Sequence, residues 1–107
     1  MAIPHAEPGQ VIDIRGLGAS VADHVTQTLV KTPNIQVIRL ILPAGKDIAE
    51  HRVDGEITVQ CLEGRVAFTS RNQTQELVPG QLLYLEGGDA HAVKAIEGSS
   101  LLVTIHT

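Results

Sequence analysis

Aromatic residues are almost absent from this 107-residue chain: there is no tryptophan, and Phe68 and Tyr84 are the only phenylalanine and tyrosine. Base-stacking platforms of the kind that hold single-stranded nucleic acid are therefore excluded. Basic charge is also scarce. Eight Lys and Arg against twelve Asp and Glu leave a formal net charge of −4, so the counterion release that drives binding to a phosphate backbone is missing, and no nucleic-acid partner is expected. Cysteine occurs once, at Cys61, which rules out an internal disulfide and any cysteine zinc cluster. In its apolar surroundings Cys61 reads as a small buried hydrophobe rather than a reactive thiol.

Long apolar runs are lacking too. Arg39 and Pro43 interrupt the longest candidate, far short of the ~20 residues of a membrane-spanning helix, so no membrane partner is expected. The N-terminal MAIPHAEPGQ has Pro4, Glu7, Pro8 and Gly9 where a signal peptide requires an unbroken apolar stretch. The expectation is a cytoplasmic protein. Its length suits one domain, here divided into an N-terminal tail over residues 1–9 and a folded domain over 10–107.

What is present is Val, Ile, Leu and Ala, within a hydrophobic fraction of 43%, arranged in short β-type runs between turn residues. Strands are predicted at Val11–Ile14, Val25–Lys31, Ile35–Leu42, Ile57–Leu62, Arg65–Ser70, Gln75–Val78, Leu82–Leu85, His91–Ile96 and Leu101–His106. Thr32-Pro33-Asn34, Glu63-Gly64, Arg71-Asn72-Gln73 and Pro79-Gly80 supply the turns, which argues for antiparallel neighbours. Leu17–Val25 reads as loop or a single helical turn, because Gly16, Gly18 and the β-branched residues weaken a helix. Open edges rich in Val and Ile would recruit other chains. Closure into an all-β barrel resolves this.

Two stretches carry more specific spacing: PAGKDIAEHRVDGEITVQCLEGRV over residues 43–66 and VPGQLLYLEGGDAHAVKA over residues 78–95. Together they resemble the two sequence motifs of the cupins, single-domain double-stranded β-helix (jelly-roll) barrels. Gly45, His51 and Gly64 match the first motif, while Val53 and Ile57 stand where it has a second His and a Glu. Gly80, Gly88 and His91 match the second, with Glu86 replacing its Pro and Ala95 its Asn. The surviving glycines are those needed for sharp turns at strand ends.

The resemblance implies a divalent metal (Zn, Ni, Fe or Mn) held inside the barrel, and it carries His51 and His91 onto two of the ligand positions. Two neutral imidazoles are fewer donors than catalytic zinc or non-haem iron sites use. Glu56 is a candidate third ligand. Strand alternation that turns His51, Val53, Ile57, Val59 and Cys61 inward leaves Glu56 facing away, unless a bulge at Asp54-Gly55 re-aims it. Cys61, one layer deeper, is the alternative, and a His2Cys set would favour Zn or Cu. His5, His24 and His106 match no motif.

Four functions follow as expectations. The first is a barrel that binds a small molecule in its cavity, with an incomplete metal site. Val53, Ile57, Val59 and Cys61 would shape the pocket, and His51 and His91, with Arg39 or Gln36, would fix a carboxylate or carbonyl. The second is a metal-dependent enzyme of the cupin dioxygenase or isomerase type. The third is metal-free acid/base chemistry by a His, as in cupin-fold epimerases, which requires a partner carboxylate such as Asp89 or Glu86. The fourth is a ligand sensor serving a separate regulator. The family resemblance and the edge strands together imply a homodimer.

Overall fold

The β-branched run Ile35–Leu42 has apolar residues on both faces, as a strand covered on both sides must, and it lies inside a sheet with a neighbour along each edge. In the computed structural model, which describes residues 5–107, it is the second of nine strands among those residues. These are β1 (Gln27–Lys31), β2 (Ile35–Leu42), β3 (Asp47–His51), β4 (Ile57–Glu63), β5 (Val66–Ser70), β6 (Gln73–Leu77), β7 (Leu82–Leu85), β8 (His91–Ala95) and β9 (Ser99–His106). The first four residues of the expected tail lie outside the described residues. Every pairing is antiparallel. One sheet has five strands in the order β1-β2-β9-β4-β7; the other has four, β3-β8-β5-β6.

The core lies between the two sheets, where alternation aims one face of each strand. Ile57, Val59 and Cys61 of β4 point into it, as do Val66 and Phe68 of β5, Val93 and Ala95 of β8, and Leu101 of β9. Cys61 is fully buried and unpaired, and burial raises its thiol pKa above the ordinary value. It packs as the small hydrophobe its setting in the sequence suggests. Arg71 and Asn72 both take positive φ at the β5–β6 hairpin, but Glu63-Gly64 is not the tight hairpin expected: Gly64 (φ +85°) turns the chain from β4 in the larger sheet to β5 in the smaller one, at a point where a Cβ would run into Ser99 and the Gly98 carbonyl.

Two strand expectations are corrected. Val11–Ile14 is not a strand. A short alternating run becomes a strand only beside a partner, and Val11 is 91% exposed. Conversely Asp47–His51, too polar to be predicted, is the strand β3. It lies at the edge of its sheet, paired only with β8, and an edge strand tolerates charge that a central one would not.

The segment before β1 crosses the outside of the larger sheet. A 3-10 helix of six residues, Gly18–Asp23, packs on β2 and β9 through the buried Val21; at three residues per turn it is about two turns, where a loop or one turn was expected. Glu63 fastens it: the carboxylate accepts the backbone N–H groups of Leu17 (2.8 Å) and Gly18 (3.0 Å) and the Ser100 hydroxyl (2.7 Å). Arg39 completes the cluster, donating to the Arg15 carbonyl (2.6 Å) and pairing with Glu63 at 3.3 Å. Among the described residues no helix is long and apolar enough to cross a membrane.

Candidate functional site

His51 owes its direction to an irregularity in β3. Ile48 is opposite Val93, but His51 is opposite His91, so three steps along β3 match two along β8. The extra residue reverses the parity of the strand. Without it, Ile48 and His51 would face opposite sides of the sheet; with it, both line the interior cavity. His91 reaches the same cavity from the first position of β8.

The two rings meet edge to face with centroids 4.3 Å apart, and His91 also stacks on Phe68 at 5.7 Å. Each ring is oriented in the same way: Nδ1 of His51 bonds the carbonyl of Ala49 (3.1 Å), and Nδ1 of His91 bonds the carbonyl of Asp89 (3.0 Å). A carbonyl can only accept, so Nδ1 carries the proton in both rings. In the neutral form each Nε2 is then a bare lone pair, and among the described residues neither Nε2 has a hydrogen-bond partner. His91 is 5% exposed, while His51 is exposed to solvent, so the pair leads from the surface inward.

Burial holds the pKa of His91 below the usual imidazole value. The hydrogen bond to Asp89 opposes this shift, and the charge of His51 adds to it. A depressed pKa in the folded state contributes stability that is complete above the unfolded value of about 6.5 and is lost as pH falls through the folded one. His91→Leu is therefore expected to flatten the decline in stability between pH 7 and pH 5, as read from urea midpoints at each pH.

The cavity measures about 170 Å³. Apart from the two imidazoles its wall is wholly apolar: Ile38 and Leu40 of β2, Ile48, Ile57, Val59, Phe68, Val93, and Leu101, Val103 and Ile105 of β9. Of the pocket residues expected from the sequence, Ile57 and Val59 are in place. Val53 packs against the core without lining the cavity, and Cys61 lies in the packed core beyond it. Arg39 is corrected outright, since it points to the opposite face of β2 and is consumed by Glu63, Ser100 and the Arg15 carbonyl. The Leu101, Val103, Ile105 wall was missed, although the alternation along β9 signals it.

Glu56 is corrected as a ligand. The irregularity lies in β3, not at Asp54-Gly55, so β4 keeps its parity. Glu56 stays on the outer surface, accepting a hydrogen bond from the Tyr84 hydroxyl, which raises the pKa of that phenol. Asp89 gives its carboxylate to Arg71 (3.2 Å) and the Glu86 N–H (3.0 Å), and Arg71 also reaches Glu86. No carboxylate among the described residues hydrogen-bonds either imidazole. His24 lies near Ser20, and His5 and His106 are exposed.

No protein-family model and no curated protein matches the chain. Solved structures do. A cupin superfamily protein from Desulfitobacterium hafniense superposes with a TM-score of 0.74 at 20% identity, covering 77% of this chain and 75% of its own. A conserved protein of unknown function from Streptococcus pyogenes gives 0.76 at 23%, covering 100% and 95%. An RmlC-like cupin family protein with a double-stranded β-helix fold from Methanocaldococcus jannaschii gives 0.74 at 17%, covering 92% and 93%. The chain has the cupin fold, a double-stranded β-helix formed as a single barrel of two antiparallel sheets.

The residues present do not fit the three- or four-ligand metal that the cupin motifs imply. Val53 and Ile57 offer hydrocarbon at two of the four positions, and among the described residues no three His, Cys, Asp or Glu side chains are placed to hold an ion. Only His51 and His91 stand, among the four motif positions, as side chains able to donate to an ion.

Proposed function

We propose that the barrel binds a small, mostly apolar molecule between its sheets, with His51 and His91 receiving its polar end. One observation carries this: a cavity of about 170 Å³ in which, among the described residues, two hydrogen-bonding rings are the sole polar groups of an otherwise apolar wall. Such sites take their affinity from apolar burial and their orientation from a few convergent polar atoms. An apolar cavity of ~150 Å³ holds benzene, so the occupant is of that order of size. A divalent cation is at most a loosely held companion, since the pair supplies two donors and no neutralising charge. The outer face carries Leu82 and Tyr84, 62% and 55% exposed on the edge strand β7. This supports a homodimer in which a second copy covers them.

A ligand-observed NMR screen of uncharged fragments of about benzene size tests the binding function. Hits are expected to perturb the methyl groups of Val59, Leu101 and Val103, and to be lost in Val103→Phe, whose ring fills the void. Hits retained at equal affinity in that variant would locate binding elsewhere and contradict the proposal.

A further inference from the structure

We infer that the occupant of this cavity is an uncharged hydrogen-bond donor, such as a phenol or an alcohol, and not a carboxylate or other anion; this rests on the binding function proposed above. The reason is the way both rings are held. A free imidazole can present either nitrogen as a donor, and would serve a carboxylate or carbonyl as readily as a hydroxyl. Here the Ala49 and Asp89 carbonyls occupy both Nδ1–H groups, so each neutral ring keeps only a lone pair at Nε2.

The surroundings do not change that polarity. Among the described residues no Arg, Lys, Ser, Thr, Asn or Gln side chain lines the cavity. Arg39, the one buried guanidinium, lies across the sheet with its charge taken by Glu63. An anion entering the cavity would therefore shed its hydration against hydrocarbon and find two acceptors, a loss with no compensating hydrogen bond. A hydroxyl group instead donates to Nε2, and the apolar remainder of the molecule meets Val59, Leu101 and Val103. With the ring centroids 4.3 Å apart, a ligand with two donors could use both rings.

Three probes of nearly equal size separate the possibilities: benzene, phenol and benzoate, titrated at pH 8 into the full chain and read from the methyl resonances of Leu101 and Val103. Phenol, un-ionised at this pH, is expected to bind about 3- to 10-fold more tightly than benzene, the worth of one neutral hydrogen bond, and benzoate to leave the methyls unmoved. In the His51→Leu/His91→Leu variant the ratio of phenol to benzene affinity is expected to fall to about one. Benzene binding as tightly as phenol in the unmodified protein, or benzoate binding as tightly as phenol, would overturn the inference while leaving the cavity as a binding site. If neither benzene nor phenol moves those methyls, the binding function falls and the inference with it. The comparison in the unmodified protein stands whether or not the double variant folds.

Discussion

Glu63→Gln is expected to cost about 3–5 kcal/mol of folding stability, the range for breaking one partner out of a buried ion pair. Against a total of about 5–15 kcal/mol for a domain, that is the largest loss expected from so small a change of shape. Arg39 and Glu63 are 8% and 15% exposed in their side chains, and the Arg39 Nε already lacks a hydrogen-bond partner. Removing the carboxylate charge strands a buried guanidinium. The glutamine oxygen can still stand at Oε1 and accept from Leu17 and Gly18, but its NH2 group then stands at Oε2, where Ser100 and Arg39 donate, so the loss reports the missing charge together with that lost acceptor. Adding Arg39→Met to the glutamine variant is therefore expected to recover part of the stability, because the stranded charge is then gone. Urea denaturation of the three proteins measures this, and a cost below about 1 kcal/mol for Glu63→Gln would show a pair screened by solvent.

The same pair has a pH signature. Burial alone would raise the pKa of Glu63, but the Ser100 hydroxyl, the Leu17 and Gly18 N–H groups and the Arg39 charge outweigh it and hold the carboxyl below its usual value. A depressed carboxylate pKa gives stability that is present above the unfolded value and lost as pH falls through the folded one. Acid should therefore destabilise the unmodified protein more than Glu63→Gln below about pH 4.5.

Ile57→Glu is expected to exchange an apolar wall for a metal centre. Ile57 lines the same cavity as His51 and His91, so a carboxylate there would complete a set of two His and one carboxylate. Without metal the variant should lose about 3–5 kcal/mol, because Ile57 is 3% exposed in the packed core and an unpaired acid there has no compensation. With Zn²⁺ or Mn²⁺ at 100 times its dissociation constant, about 2.7 kcal/mol should return, seen as a rise in Tm that EDTA reverses. The unmodified protein is expected to show little of this rise. An Ile57→Glu protein whose Tm ignores added metal would mean that position 57 and the two rings do not share one void.

The fold could be read from the sequence wherever strands are apolar and bounded by turn residues. β2, β4, β8 and β9 have β-branched or alternating patterns, and the turn at Arg71-Asn72 announces the β5–β6 hairpin. β3 could not be read in this way, because DIAEH takes its strand state from the backbone of β8 and not from its own side chains. The irregularity that turns His51 inward is likewise a property of the pairing and has no mark in the sequence, whereas the plain alternation that leaves Glu56 facing away could be read and holds. Arg39 misled for a different reason. Both faces of Ile35–Leu42 are apolar, so alternation gives it no direction, and its inside is fixed only by pairing with β9 and by the distant Glu63. The ring tautomers were invisible altogether, since they depend on backbone carbonyls two residues before each His.

The ring nitrogens give the most direct test of the paired acceptors on which the binding function depends. Long-range ¹H–¹⁵N spectra of the full chain at pH 8 are predicted to show the proton on Nδ1 and a bare Nε2 in both His51 and His91. A protonated Nε2 in either neutral ring would contradict the site as described.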